Sequence, residues 1–163
     1  MEMIITVGNI GSGKTTLSRE RVKQNPDKHY HIIDVDSLVN MFYGDYAFNE
    51  QDYQIYADSK YALACVVLKA GKSVIIDGLN STPRSRRRFT QLARRYNATI
   101  GCIDFGPGSL EDLERRQKEN RGKPEAQWER VWERTYHTYV KPEYSEGFDF
   151  IERRYCELED PNA

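Results

Sequence analysis

Short apolar runs alternate with longer amphipathic segments along this chain of 163 residues. The short runs are rich in β-branched residues and most end at a glycine or an aspartate, as buried strands do, whereas the longer segments follow helical spacing. The predicted strands are residues 3–7, 30–36, 73–77, 98–105 and 148–153. The predicted helices are residues 14–23, 49–70, 83–96, about 110–120 and 125–139. Strands that alternate with helices favour parallel pairing, so the pattern predicts an α/β layered fold.

The composition is typical of one soluble globular domain, which we expect to cover residues 1–163. Hydrophobic residues make up 39% and charged residues 30% of the chain, and the formal net charge is −1. Without an overall positive field, a site for a polyanion has to be a local patch. No apolar stretch approaches the ~18 residues of a membrane span, and the three cysteines are far apart. We therefore expect a cytoplasmic protein that contacts no membrane; the sequence leaves an oligomer open.

The segment GNIGSGKTT, residues 8–16, lies between the first predicted strand and the first predicted helix. It fits the pattern GxxxxGK[ST], which in that position is typical of a loop that binds a nucleoside triphosphate. Its glycines let backbone N–H groups point at phosphate oxygens, and the helix N-terminus adds its dipole. Lys14 is predicted to reach the β- and γ-phosphates of ATP or another nucleotide, and Thr15 to bind Mg²⁺, which a simple glycine turn would not explain. The predicted nucleotide-binding residues are Gly11, Ser12, Gly13, Lys14, Thr15 and Thr16.

Acidic residues end the second and third predicted strands, at the sheet edge where ligands gather in such folds. Asp34 and Asp36 are two residues apart, so in an extended strand their side chains would point to the same face. Asp36 is the candidate general base for an attacking hydroxyl, with a helix N-cap as its alternative role. Asp77 ends the run SVIID, which predicts a carboxylate at Mg²⁺, and Asn80 offers an amide beside it or else forms a turn. Asp36, Asp77 and Asn80 are therefore also predicted to contact the acceptor substrate.

Two groups of arginines follow these acidic residues. Six arginines lie within residues 84–95, where most are expected to form a solvated helix face. Arg86 and Arg87 among them are predicted to hold phosphates of the acceptor, near the helix N-terminus. The second group lies within residues 115–121, on a small helical lid expected at about residues 110–125. Arginines there would neutralise charge in the transition state, or else form a salt-bridged surface helix.

On these motifs the chain resembles the kinase domain of the polynucleotide kinases of bacteriophages and bacteria, which belong to a wider set of small P-loop kinases. The resemblance rests on GNIGSGKTT, QNPDKHYHIIDVDSL, IIDGLNSTPRSRRR, LEDLERRQKENRGKP and KPEYSEGFDFI, which span nearly the whole chain. It implies a three-layer P-loop sandwich with a mostly parallel sheet, helices on both faces and a small helical lid. It also implies catalytic roles for Lys14, for Asp36 as the general base, and for the lid arginines Arg116 and Arg121.

The chain departs from this family at two places. The polynucleotide enzymes of the family carry an arginine three residues after the base, where this chain has Val39, and the lid arginines are one residue further apart here. The sequence predicts an ATP- and Mg²⁺-dependent kinase whose acceptor is a hydroxyl of a nucleic acid. Two alternatives stay open: a kinase for a small molecule such as a nucleoside or sugar, and a nucleotide-binding regulatory module with weak NTPase activity.

Overall fold

One all-parallel sheet organises the described part of the chain. A computed structural model describes residues 1–45, 48–119 and 125–155. Its strands are β1 (Glu2–Val7), β2 (Tyr30–Ile33), β3 (Ser73–Ile76), β4 (Thr99–Asp104) and β5 (Phe150–Arg153). They pair in the order β2-β3-β1-β4-β5, and every neighbouring pair is parallel. The central strand β1 therefore lies between β3 and β4, and the carboxyl ends of all the strands lie at one edge.

Helices connect these strands in the alternating order that the hydrophobic pattern predicts. They are α1 (Lys14–Gln24), α2 (Val35–Tyr43), α3 (Tyr53–Lys69), α4 (Pro83–Arg95), α5 (Leu110–Glu119) and α6 (Glu125–Thr138). Short 3₁₀ turns lie at Pro26–Lys28, Glu50–Asp52 and Tyr144–Glu146. The first turn of the predicted helix 49–70 is one of these 3₁₀ turns, Glu50–Asp52, and α2 is a helix that the pattern did not predict. No helix in the described ranges combines the length and apolar character that crossing a bilayer requires.

The sheet is covered on both faces, which confirms the predicted three-layer fold. On one face, Ile5 of β1 packs in a cluster with Leu68 of α3 and Leu92 of α4. On the other face, Ile4 packs in a cluster with Leu17 of α1. Successive residues of a strand point to opposite faces, so these neighbouring isoleucines belong to different clusters. Because neither face of these strands is exposed to water, both faces carry apolar residues, and the strands are continuous apolar runs in the sequence.

Strand β2 ends at Ile33, three residues before the end predicted for it, because Asp34 starts a helix. The Asp34 carboxylate accepts hydrogen bonds from the backbone N–H and the hydroxyl of Ser37, both at 2.7 Å. This is an N-cap, and it places Asp36 in the first turn of α2. The prediction that Asp34 and Asp36 share one face of an extended strand is therefore wrong. Asp34, rather than Asp36, caps the helix.

Arg86 on α4 is completely buried, with 0% of its side chain exposed. Its Nε and Nη2 donate to the two carboxylate oxygens of Glu146, both at 2.7 Å, and its Nη1 donates to the carbonyl of Asn80 at 2.9 Å. This bidentate pair ties α4 to the 3₁₀ turn at Tyr144–Glu146. The prediction that Arg86 holds phosphates of the acceptor is wrong, because its guanidinium is enclosed and all three nitrogens donate within the fold.

We expect Arg86→Met to destabilise the fold strongly. Removing the guanidinium leaves the Glu146 carboxylate, of which 16% is exposed, without its bidentate partner. Loss of one member of a buried ion pair costs about 3–5 kcal/mol, and the partial exposure of Glu146 favours the lower end of that range. Urea unfolding would measure the loss. The matched control is Arg87→Met, an exposed neighbour on the same helix, which should change the unfolding free energy by less than about 0.5 kcal/mol. Equal stability of the two variants would contradict the assignment of Arg86 to a buried ion pair with Glu146.

Candidate active site

The glycine-rich loop leaves the carboxyl end of β1 and leads into α1 at Lys14. The Gly8 N–H donates to the carbonyl of Leu79 at 3.0 Å, which joins this loop to the segment after β3. The Asn9 side-chain amide donates to the carbonyls of Pro107 and Trp132 at 2.8 and 2.9 Å. Within the described ranges, the backbone N–H groups of residues 11–16 donate to no acceptor. A run of unpaired N–H groups at a helix N-terminus is suited to bind an anion such as a polyphosphate.

Lys14 lies folded over this loop with 8% of the residue exposed. Its Nζ donates to the carbonyl of Asn9 and, at 3.2 Å, to the hydroxyl of Ser12. Burial lowers the pKa of Lys14 from 10.5 to about 8. The ammonium is thus held inside the loop, among the N–H groups that face an incoming phosphate.

Four charged side chains, from the end of β3, from α5 and from α2, act on the Lys14 ammonium. In decreasing order of effect on its pKa they are Asp77, Arg116, Asp112 and Asp36. The three carboxylates raise the pKa of Lys14, and Arg116 lowers it together with burial. The fold therefore gathers three of the predicted site residues, Asp77, Asp36 and Arg116, around the lysine of the loop.

Asp77 follows β3 directly and is 2% exposed. Its Oδ1 accepts a hydrogen bond from the Thr6 hydroxyl at 3.0 Å, whereas its Oδ2 is buried and has no hydrogen-bond partner among the described residues. Burial raises the pKa of Asp77, while Lys14 and the hydroxyls of Thr15 and Thr6 act to lower it. An unpaired carboxylate oxygen close to a threonine hydroxyl fits Mg²⁺, which prefers oxygen ligands and takes several of them from phosphates and water. No group of three or more His, Cys, Asp or Glu side chains that could hold a metal ion occurs in the described ranges.

Asn80 does not offer its amide nitrogen to a substrate. Its backbone is in the left-handed region, with φ of 42°, and the residue is 8% exposed. Its Nδ2 donates to the carbonyls of Thr6 and Ile76, at 2.8 and 3.3 Å. The predicted substrate contact is corrected accordingly, because this amide braces the ends of β1 and β3.

Helices α5 and α6 form a hairpin that packs on the glycine-rich loop. Ile10 of the loop, Leu113 of α5 and Trp128 of α6 make up one buried cluster. Arg115 Nη1 donates to the carbonyl of Gly11 at 2.6 Å, a contact that the sequence did not predict. Helix α5 lies within the segment predicted as a lid, residues 110–125, whereas nearly all of α6 follows that segment.

Arg116 is the predicted lid arginine whose charge acts on Lys14. Its guanidinium lies 4.8 Å from the ring centre of Trp128, and its Nη1 donates to Glu119 at 3.3 Å. Its Nε is buried and has no hydrogen-bond partner within the described ranges. Arg121, the other predicted lid arginine, lies outside the described residues.

Arg87, by contrast with Arg86, is exposed. It lines a groove of about 310 Å³ that runs between α4 and the turn at Tyr144–Glu146, together with Gln91, Arg94 and Glu146. Its guanidinium donates no hydrogen bond among the described residues. The role predicted for Arg87, holding phosphates of the acceptor, stays a prediction; the groove also contains the Glu146 carboxylate.

Lys60 on α3 is a buried lysine close to the end of β3 that the sequence analysis did not single out. It is 8% exposed, and its Nζ lies 3.4 Å from the position that a Cβ on Gly78 would take. Burial lowers the pKa of Lys60 to about 8, against the opposing effect of Asp77 and Asp34. Helical spacing gives the signal that was overlooked, because Lys60 lies four residues from Tyr56 and from Ala64, which are both buried.

A glycine-rich phosphate loop, a buried carboxylate on the neighbouring strand and a helical hairpin over an all-parallel sheet define a P-loop kinase fold. The chain belongs to the AAA_33 family, described as an AAA domain, whose model matches residues 3–142. No curated protein sequence matches the chain significantly. The expected resemblance to P-loop kinases of the polynucleotide kinase type is thereby supported at the level of the family.

Several solved structures are similar to this chain over most of its length. A chain of the Pnkp1/Rnl/Hen1 RNA repair complex is 25% identical with a TM-score of 0.68, over 91% of this chain and 46% of that one. Kti12 of Chaetomium thermophilum, in complex with ADP-AlF3, is 20% identical with a TM-score of 0.69, over 97% and 91%. The Mycobacterium tuberculosis APS kinase CysC, in complex with AMPPNP and APS, is 18% identical with a TM-score of 0.65, over 96% and 90%. This chain spans less than half of the Pnkp1 complex chains that it matches, at 38% and 46% of their lengths.

Replacing Gly11 by Ala should lower the stability of the protein more than replacing Gly13 by Ala. Both glycines have positive φ, of 72° and 94°, so both substitutions carry about 1–2 kcal/mol of backbone strain. A Cβ on Gly11 would also collide with the carbonyl of Asp112 on α5, whereas nothing lies within 4 Å of a Cβ on Gly13. The clash adds about 1–3 kcal/mol and separates the hairpin from the loop. Thermal unfolding of the two variants isolates this contact, and equal losses would show that the hairpin does not rest on Gly11.

Proposed function

We propose that this chain is an ATP- and Mg²⁺-dependent kinase that transfers the γ-phosphate to a hydroxyl of a nucleic acid. The observation that carries the proposal is that Lys14 lies folded over the glycine-rich loop, where the charges of Asp77, Asp36 and Arg116 all act on its ammonium. Each meets one requirement of phosphoryl transfer: a carboxylate for the metal, a base for the acceptor, and a cation for the transferred group. A binding module without transfer would not need a carboxylate at Asp36.

The donor side is built from the glycine-rich loop and β3. The N–H groups of residues 11–16 and the Lys14 ammonium would bind the phosphates of ATP, and Thr15 with Asp77 Oδ2 would hold Mg²⁺. The metal supplies charge neutralisation on the phosphate oxygens. Arg116, which carries its unpaired Nε beside Lys14, would stabilise the charge that builds on the leaving group.

The acceptor side is built from α2. Asp36 is half-buried in the first turn of this helix and would accept the proton of the attacking hydroxyl. As that proton moves to Asp36, a bond forms between the hydroxyl oxygen and the γ-phosphorus, and the bond from the γ-phosphorus to the bridging oxygen of ADP breaks. Because α2 is capped by Asp34, the carboxylate is presented from a rigid element.

The choice of a nucleic acid as acceptor rests on the outer face of α4 and on one comparison. Arg84 and Arg87 are exposed there, and Arg87 lies in a groove with Arg94, which suits a phosphodiester backbone. The similarity to a chain of an RNA repair complex also supports a nucleic acid as the acceptor. The small-molecule alternative is favoured by the coverage of CysC, since this chain spans 90% of that APS kinase.

A panel of acceptors tests the proposed function. Transfer of labelled γ-phosphate from ATP should occur to 5′-hydroxyl oligonucleotides of RNA or DNA and should be lost in Lys14→Ala, because no other cation of the loop reaches the γ-phosphate. Transfer to nucleosides or sugars but to no oligonucleotide would establish the small-molecule alternative. ATP hydrolysis without transfer to any acceptor would establish the regulatory module. Undiminished transfer in Lys14→Ala would contradict the assignment of the loop.

Asp36→Asn should abolish transfer while leaving ATP binding nearly unchanged. An amide cannot accept the proton of the acceptor, and a general base contributes on the order of 10²–10⁴-fold to the chemical step. The rate under saturating ATP and the dissociation constant of ATP are the two measurements. Ser37→Ala, at an exposed position of the same turn, is the control for a change in α2 itself. A loss of ATP affinity as large as the loss of rate would place Asp36 on the metal instead.

A further inference from the structure

Helix α3 carries a lysine in the middle of its buried face. The residues of this helix that are buried are Tyr56, Lys60, Ala64 and Leu68, spaced by four, so they form one stripe along the helix. Ala64 and Leu68 pack in the main core, and Tyr56 stacks on Phe42 of α2. Lys60 therefore occupies a position where the pattern of the helix calls for an apolar side chain.

The Lys60 ammonium has few partners inside the protein. It lies 5.5 Å from the ring centre of Phe89, and no hydrogen bond or ion pair of Lys60 occurs among the described residues. The carboxylates of Asp77 and Asp34 act on it, beyond ion-pair distance. A buried ammonium without hydrogen bonds is unfavourable for folding, so the protein retains a costly group at this position.

The topology directs this ammonium to the acceptor side of the site. Helix α3 leads into the amino end of β3, so its first half lies at the carboxyl edge of the sheet. There the Lys60 Nζ approaches Gly78, the residue after Asp77, and it is influenced by Asp34 at the end of β2. The donor side lies on the opposite side of β3, where the glycine-rich loop joins β1 to α1. Lys60 thus faces the space between the ends of β2 and β3.

We propose that Lys60 is a residue that binds the acceptor, and that its ammonium donates hydrogen bonds to an oxygen of an anionic acceptor next to the attacking hydroxyl. The inference rests on the proposed function, because it assumes transfer to a hydroxyl held near Asp36. It adds to Arg84 and Arg87 of α4 a cation that lies beside Gly78, at the ends of β2 and β3. With Asp34, Asp36 and Asp77 at this edge, an anionic acceptor needs a nearby cation. Val39 of α2 is uncharged and completely buried, so it cannot supply that cation.

Lys60→Met tests this role through two independent measurements. The first is steady-state kinetics with the acceptor identified by the panel, where the acceptor kcat/KM should fall on the order of 10- to 100-fold, because a charged hydrogen bond is lost. The ATP dissociation constant should stay within about twofold of wild type, since Lys60 lies off the donor side. Lys60→Arg, which keeps the charge, should recover part of the loss. Lys69→Met, at an exposed position of the same helix, is the control.

The second measurement is thermal unfolding without any ligand, which does not depend on activity. Because a methionine suits the buried stripe of α3 better than an ammonium, Lys60→Met should melt roughly 2–10 °C above wild type. A lower melting temperature would make Lys60 a structural counter-ion of Asp77 and Asp34 and would overturn the proposal. An unchanged acceptor kcat/KM would overturn it as well. If the wild-type protein transfers phosphate to no acceptor, the proposed function itself fails. This outcome differs from a lower melting temperature and from an unchanged acceptor kcat/KM, which overturn only the role of Lys60.

Discussion

The hydrogen bond between the Thr6 hydroxyl and Asp77 joins the two strands on which the whole site is built. Thr6 is the second-last residue of β1, and its Oγ1 also accepts the Gly78 N–H at 3.2 Å. Parallel pairing of β1 with β3 directs the carboxyl ends of both strands to the same edge of the sheet, so that the glycine-rich loop and the acidic residue leave it from neighbouring strands. A shift of one residue in this register would turn Asp77 to the other face of the sheet. The hydroxyl fixes both the register and the orientation of the carboxylate.

Much of the fold is readable from the sequence, because a sheet covered on both faces selects continuous apolar strands that are hard to mistake. The glycine-rich loop is equally readable, since its residue types are set by the shape of a phosphate chain rather than by distant contacts. Helix α2 was missed because the run from Tyr30 to Asp36 looks like one long strand. A single cap at Asp34 ends the strand, and such local competition between cap and strand is decided by hydrogen bonds that the hydrophobic pattern does not register.

The errors of the sequence analysis concern cations more than any other group. Arg86 and Arg87 are adjacent in the chain, yet one is completely buried and the other is exposed. Helical phase separates them, because Arg86 lies three and seven residues before the buried Phe89 and Ala93. Composition alone suggests that a run of arginines forms a solvated helix face. Arg86 is the exception because Glu146, far away in the sequence, pairs with it inside the fold. Lys60 was overlooked because a single lysine in an amphipathic helix is expected on the solvated face. Its burial is evident only once Tyr56 and Ala64, four residues to either side, are known to be buried.

The strand order places β1 with its loop and β2 with α2 on opposite sides of β3. The groups proposed to touch the donor lie on the loop after β1, on α1 and on α5, whereas the groups proposed for the acceptor lie on α2, on α3 and on the outer face of α4. The two sets meet only at Asp77. In evolutionary terms this arrangement is modular: substitutions in α2 and α3 can change which compound receives the phosphate while the phosphate loop keeps its shape. A scaffold of this kind can acquire new acceptors without having to reinvent the use of ATP.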